Sequence, residues 1–575
     1  MKVIPQRTKL VIAWIGLPLG LALLAAGWIV DSAAIWRLAL LAGIWLLSLL
    51  PRARLAQQSP AARSLGRLGL VFALCFGAVG LQLGREQVGQ ASATRERAAA
   101  LFQPAQAQDT AAVRPADRTA LGSGRTWPVS VAAGRGKILD RNGTVLAQTE
   151  GGRRVYPAPN FGQVVGFQSR LYGTTGVEAS FDSYLSGARS LSPDAVLRAR
   201  LLGTAVQAAP ADVSLTIDVG LQRAAWAALG EQPGAVVLLD PRTGAILALA
   251  SYPRFDPNQL VVPDRATQAD VDQAQAAWRA LSSRSDSPLI NRAAQGRYPP
   301  GSVIKTLTGA AALDAGVVSG PEGQVTCPEQ LPTESGAPPV VNAVKNLAQR
   351  TGDPSDLRRV YAWSCNTAFA QLGLALGAER FGAYAARFGL RYADAGGAAP
   401  ELRDVPSDAG TIAGSAGFLG RPAALADTAF GQGQALVTPL DMAQMVALIA
   451  NDGRLMRPYL VQEARAGGQV LYQARPEVLR QAISPQTAQQ MRSIMGTSVE
   501  IGYAKPVALP GVAIGAKTGT AEAPGGAPHS WFVAIAPLDQ PRFAIAVVVE
   551  HGGEGSRAAL PIARQVLAAA LGVQP

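Results

Sequence analysis

The 575-residue chain carries three Cys and two His, and only 16% of its residues are charged. Three thiols exclude a disulfide scaffold, and His529 and His551 are too few to build a His-rich metal centre or, with so little Cys, a zinc cluster. No metal or other cofactor is expected. Acids are scarcer than bases, giving a formal charge of +12. The cations neither cluster nor accompany a recognition motif, so no nucleic-acid partner is expected. Lysine is scarce as well: seven of the 52 cations, the other 45 being Arg. A motif that insists on lysine therefore stands out. What the chain has in quantity is apolar sequence, 48%, which excludes a disordered or fibrous chain and points to a membrane.

The apolar residues concentrate near the start. Segments 10–30, 33–50 and 68–84 each approach the roughly 20 residues of a membrane-crossing helix. Lys2, Arg7 and Lys9 precede the first, in a tail of residues 1–9. The loop 51–67 carries Arg52, Arg54, Arg63 and Arg67 and no acid. Both belong in the cytoplasm by the positive-inside rule, so three crossings place everything after Gly84 outside. A cleaved signal peptide is the competing reading of residues 1–30, but its apolar core is too long and a second apolar segment follows at once.

Residues 85–129 are polar, Ala/Gln-rich and punctuated by Pro, as expected of a juxtamembrane linker. Residues 130–211 form a small module, with two strands predicted around the Arg141-Asn142-Gly143 turn and a short helix in GTTGVEASFDSYLSG. Residues 212–575 are denser. GAVVLLDPRTGAILALASY reads as a hairpin, helices dominate from about 302 to 500, three strands follow, and PIARQVLAAALG closes the chain as a helix. Strands at both ends with helices between them predict one mixed sheet assembled from both chain ends.

Three short motifs occur in order in this last part: Ser302-Val303-Ile304-Lys305, Ser364-Cys365-Asn366 and Lys517-Thr518-Gly519. Ser302 and Lys305 are three apart on a predicted helix that is apolar nearly all round, hence side by side and buried. A serine hydroxyl needs a base to become a nucleophile, and an amine serves only if its pKa of about 10.4 falls toward neutrality. Burial and a second cation both push that way, and Lys517 is the evident second cation. An isolated Ser-x-x-Lys is usually a capped helix start. Here Lys305 alone of the seven lysines has a Ser three residues before it, and one Lys-Thr-Gly follows on a predicted strand. The set is shared by β-lactamases and penicillin-binding proteins.

With these motifs, and with RGKILDRNG, LLDPRTGAILALASYPRFDPN, RYPPGSVIK, SCNTAFAQLG, GQGQALVTPLDMA and KTGTAE around them, the chain resembles a class B penicillin-binding protein over roughly residues 130–575. The short module looks most like the division-associated type of actinobacteria. The resemblance implies an α+β fold, with a penicillin-binding-protein/serine β-lactamase-like transpeptidase domain of mixed helices around an antiparallel sheet, a pedestal and membrane helices. It implies a peptidoglycan D,D-transpeptidase acting on D-Ala-D-Ala stem peptides, sensitive to β-lactams, partnered by a multi-pass membrane glycosyltransferase. Ser302 would be the nucleophile, Lys305 its base and Ser364 the proton relay to the leaving amine. Asn366 would hold the peptide backbone. Lys517, Thr518, Gly519 and Thr520 would bind the terminal carboxylate, with the Ser302 and Thr520 N–H groups as oxyanion hole.

Several residues have plainer readings. Cys365 stands where the shared pattern has Asp. A Cys327–Cys365 disulfide is conceivable, but two buried unpaired thiols are the preferred reading, with Cys75 as apolar filler. His529 and His551 lack a third group for a triad. Asp240 and Asp256 read as turn formers. Alternative functions are a catalytically silent β-lactam sensor or scaffold, a D,D-carboxypeptidase, and a β-lactamase, the last lacking a Glu-x-x-Leu-Asn segment to activate water.

Overall fold

The hairpin predicted at 234–252 is the seed of the central sheet. The computed structural model describes residues 129–131, 134–190, 206–263, 266–392, 402–523 and 525–574. The three apolar segments, the linker and Cys75 lie outside the described residues. Among those described, no helix is long and apolar enough to cross a membrane.

Strands Gly234–Leu239 and Ile246–Tyr252 pair around a turn in which Asp240 accepts from the Arg242 N–H. Gly515–Ala521, His529–Ala536 and Phe543–Val549 complete five strands. Their order is 246–252, 234–239, 543–549, 529–536, 515–521. Every neighbouring pair is antiparallel, as the family resemblance implied, rather than mixed as the order of strands alone suggested. The strands are near-continuous apolar runs because helices cover both faces. Val219–Leu229 packs with Ala559–Leu571 on one side, and Pro439–Ala450 with Pro485–Glu500 on the other. Lys305–Asp314, Leu357–Ala362, Asn366–Arg387 and Pro422–Phe430 build a helical region beside the 515–521 edge.

A second, six-stranded sheet runs 469–473, 461–466, 212–215, 138–139, 145–150, 153–155, joining strands of the small N-terminal module to segments far along the chain. Inside that module Glu178, fully buried, accepts from Arg135 Nε and Arg154 Nε at 2.6 Å each and from the Tyr156 hydroxyl at 3.2 Å. A carboxylate so placed is tolerable only because both cations reach it.

Candidate active site

Ser302 does not sit in an α-helix. Gly301–Ile304 is a 3₁₀ turn, and the α-helix begins at Lys305. Side chains three apart lie on the same side of a 3₁₀ turn, so Ser302 and Lys305 share a face here as they would on an α-helix. Two glycines bring this turn against the Lys-Thr-Gly strand. Gly301 has φ +53, and a Cβ there would come within 2.5 Å of the Thr520 carbonyl. A Cβ at Gly519 would meet Val303 Cγ1 at 2.9 Å. The third position of that motif is therefore sterically bound to be glycine. Trp531 Nε1 fixes the approach by donating to the Pro299 carbonyl at 2.9 Å.

Lys305 is fully buried at the start of its helix. Its Nζ lies 2.8 Å from the Ser364 carbonyl, 2.6 Å from Asn366 Oδ1 and 3.1 Å from Ser364 Oγ. Lys517, also fully buried, donates to the Thr518 carbonyl and to the same Ser364 Oγ, both at 3.0 Å. No carboxylate pairs with either lysine among the described residues. Burial drives the Lys305 amine well below its ordinary pKa, and the Lys517 charge pushes it further; burial alone takes Lys517 down to about 7. Lys305 Nζ donates to all three of its oxygen neighbours, so the amine is held in place by Ser364 and Asn366.

Ser364 holds this position at φ +57, a left-handed backbone that costs a non-glycine residue about 1 kcal/mol. Cys365 ends the turn as N-cap of Asn366–Arg387, its Sγ accepting from the Ala368 N–H at 3.4 Å. Asp is among the best N-caps and sulfur is a weak acceptor, which gives the Asp of the shared pattern a structural meaning. The expectation of two free thiols is corrected: Cys327 and Cys365 form a disulfide, with Cα atoms 6.2 Å apart. Gln324–Val325 pairs with Ser355–Asp356, which leads into helix Leu357–Ala362, and this pairing carries Cys327 back to the motif.

Asn366 is more committed than the sequence foretold. Its Oδ1 holds Lys305, and one Nδ2 proton goes to the Val341 carbonyl at 2.9 Å, leaving one for a ligand. Asn342 was not foreseen; its Oδ1 accepts from the Asn366 and Thr367 N–H groups at 2.8 and 3.2 Å. Thr518 and Thr520 lie two apart on the edge strand and share a face, with Thr520 exposed. Gly555 N–H reaches Thr520 Oγ1 at 3.4 Å. Ser302, half-buried, makes no hydrogen bond through Oγ to any described residue. The histidines stand apart from these groups: His529 stacks edge-on with Tyr298 and accepts from the His551 N–H. Asp256 caps the turn Pro257–Leu260.

A five-stranded antiparallel sheet between helical layers, with a Ser-x-x-Lys turn against its edge strand, defines the fold class of penicillin-binding transpeptidases and serine β-lactamases. Residues 234–568 match the family described as penicillin binding protein transpeptidase domain, and residues 135–208 match the penicillin binding protein A dimerisation domain. The chain belongs to the penicillin-binding protein transpeptidase family. It is 38% identical over 439 residues to peptidoglycan D,D-transpeptidase PbpA of Mycolicibacterium smegmatis, covering 73% of this chain and 84% of that protein. Peptidoglycan D,D-transpeptidase MrdA of Acinetobacter baumannii is 28% identical, with 68% and 60% covered. The penicillin G acyl-enzyme complex of penicillin-binding protein A from M. tuberculosis superimposes with a TM-score of 0.65 at 34% identity, over 76% of this chain and all of that one. The imipenem acyl-enzyme of the same protein gives 0.66 at 35%, with 76% and 98% covered.

Proposed function

We propose that the chain is a penicillin-sensitive peptidoglycan D,D-transpeptidase that works through an acyl-enzyme on Ser302. One observation carries the assignment of roles: two buried lysines without a carboxylate converge on Ser364 Oγ. Burying two amines without an acid among the described residues costs stability, which marks the cluster as functional rather than structural.

Ser302 Oγ attacks the carbonyl of the penultimate D-Ala while neutral Lys305 takes its proton. The oxyanion is met by the Ser302 and Thr520 N–H groups. As the C–N bond breaks, Ser364 gives its proton to the leaving D-Ala amine and regains one from Lys305. Lys517 stays protonated beside the terminal carboxylate, which Thr518 and Thr520 also bind, and Asn366 uses its remaining N–H on the peptide. An amine of a second stem peptide then attacks the ester and gives a proton to Lys305, which passes it to Ser302 Oγ as the ester C–O bond breaks, restoring the hydroxyl and the neutral amine. A β-lactam follows the first half and stops there. The apolar segments 10–30, 33–50 and 68–84 anchor the chain with residues after 84 outside the cell membrane. A multi-pass membrane glycosyltransferase supplies the glycan strands. A role at division rests on the short pedestal.

Labelling with a fluorescent penicillin, comparing wild type with Ser302→Ala and following intact mass, tests the reading. A stoichiometric adduct that persists for hours and is lost in the variant is expected. Rapid turnover of the adduct would mean a β-lactamase, and no adduct a silent scaffold.

A further inference from the structure

Cross-linking needs a second peptide, and nothing in the mechanism above says how its amine is recognised. The stretch just before Ser364 provides a candidate. Trp363, half-buried, carries the Arg350 guanidinium over its ring at 4.9 Å, and Tyr503 meets that ring edge-on at 5.3 Å. Arg350 is exposed and has no acidic partner among the described residues. Tyr503 Oη is shielded from solvent and has the Arg350 side chain as a polar neighbour. Burial raises its pKa and keeps it a donor, Arg350 acting in the opposite sense. A stacked guanidinium leaves its edge free, and that edge matches a carboxylate with two parallel bonds.

Three segments that already touch the catalytic groups hold this cluster. Arg350 follows the stretch whose Val341 carbonyl binds Asn366. Trp363 directly precedes Ser364. The Tyr503 N–H donates to the Ala362 carbonyl, and Tyr503 lies within electrostatic reach of Glu554, beside the Gly555 that binds Thr520. Val341, Val344 and Ile501, on the same stretches of chain, are large hydrophobic side chains left exposed and offer an apolar rim.

We propose that Arg350 and the Tyr503 hydroxyl, oriented by Trp363, form a subsite for the carboxylate that the acceptor stem peptide carries beside its nucleophilic amine, with the apolar rim receiving the acceptor's aliphatic chain. The proposal rests on the transpeptidase reading. It makes Arg350 a specificity-determining residue for the second half-reaction.

The test forms the acyl-enzyme of the full chain from an N-acyl-D-alanyl thioester and lets water compete with D-alanine or with D-alaninamide. Wild type should favour the carboxylate-bearing amine. Arg350→Gln should lose that preference by about tenfold, the effect of one charge-assisted pair, with penicillin acylation changed by less than about twofold. Arg350→Lys should recover part of the preference, and Tyr503→Phe should lose a smaller share. An unchanged preference in Arg350→Gln overturns the subsite, as does a wild type that prefers neither acceptor. A parallel fall in penicillin acylation would make Arg350 structural and also overturn it. Absence of a penicillin adduct in wild type would instead remove the transpeptidase reading beneath it.

Discussion

Replacing Lys517 by Met should stabilise the fold while destroying acylation, and the stability gain should depend on pH. In the unfolded chain this amine titrates at 10.5; burial brings it to about 7 in the folded protein. Between those values the unfolded state binds more protons, so wild-type stability rises with pH. The penalty of the buried lysine is largest at low pH, about 4 kcal/mol at pH 7, and falls to about 2 kcal/mol by pH 9. Met has a similar length and no charge, so it escapes this penalty. It also deprives the Thr518 carbonyl and Ser364 Oγ of a donor, an offset of about 1–3 kcal/mol that does not vary with pH. The difference between variant and wild type in urea unfolding, followed by tryptophan fluorescence, should therefore shrink by roughly 1 kcal/mol or more per pH unit from 7 to 9. Penicillin acylation should fall about a hundredfold, the magnitude of losing one preorganised charge contact. A difference that stays flat across this range would refute the depressed pKa and with it the electrostatic account of the lysine pair.

Lys305→Arg should lower the acylation rate at least about a hundredfold, because a guanidinium keeps its proton; rapid-quench labelling reads this directly, and near-normal rates would remove Lys305 as the base. Opening the Cys327–Cys365 ring by Cys327→Ser, the two half-cystines being 38 apart in sequence, should cost about 4 kcal/mol in urea unfolding, and a loss under about 1 kcal/mol would contradict the chain-entropy argument. Glu178→Gln leaves Arg135 and Arg154 facing a neutral partner in a buried site, so about 3–5 kcal/mol should be lost with little change in acylation per folded molecule; wild-type stability in that variant would show that water reaches the network.

The three motifs were legible because each needs a residue type that this chain uses sparingly or places on a strongly patterned element. Lys305 and Lys517 stand out among seven lysines, and the strands His529–Ala536 and Phe543–Val549 after the last motif carry long apolar runs. The disulfide was not legible, since pairing depends on strand Gln324–Val325 folding back onto Ser355–Asp356, and two-residue strands leave no periodicity to read. Asn342 was hidden for the same reason: its role comes from tertiary placement, in a stretch that looks like any polar loop. The six-stranded sheet escaped as well. Strand Asp212–Leu215 pairs in parallel with Ile138–Leu139 and antiparallel with Val461–Ala466, and hydrophobic alternation tells a strand its faces, not its neighbours. Ser302 was expected in an α-helix because 3₁₀ and α turns share the i, i+3 pattern that the sequence displays.

The central sheet has a consequence for how the protein comes into being. Its middle strand, Phe543–Val549, pairs with Gly234–Leu239 across some three hundred residues, and Lys517 sits on a strand that can attach only after this one's hairpin partner is in place. During synthesis the chain therefore presents Ser302 and Lys305 long before the strands that complete their surroundings exist. A ribosome that stops between Lys305 and Lys517 releases a product with its nucleophile intact and its electrostatic partner missing, so chemical competence arrives only with the strands Gly515–Ala521, His529–Ala536 and Phe543–Val549.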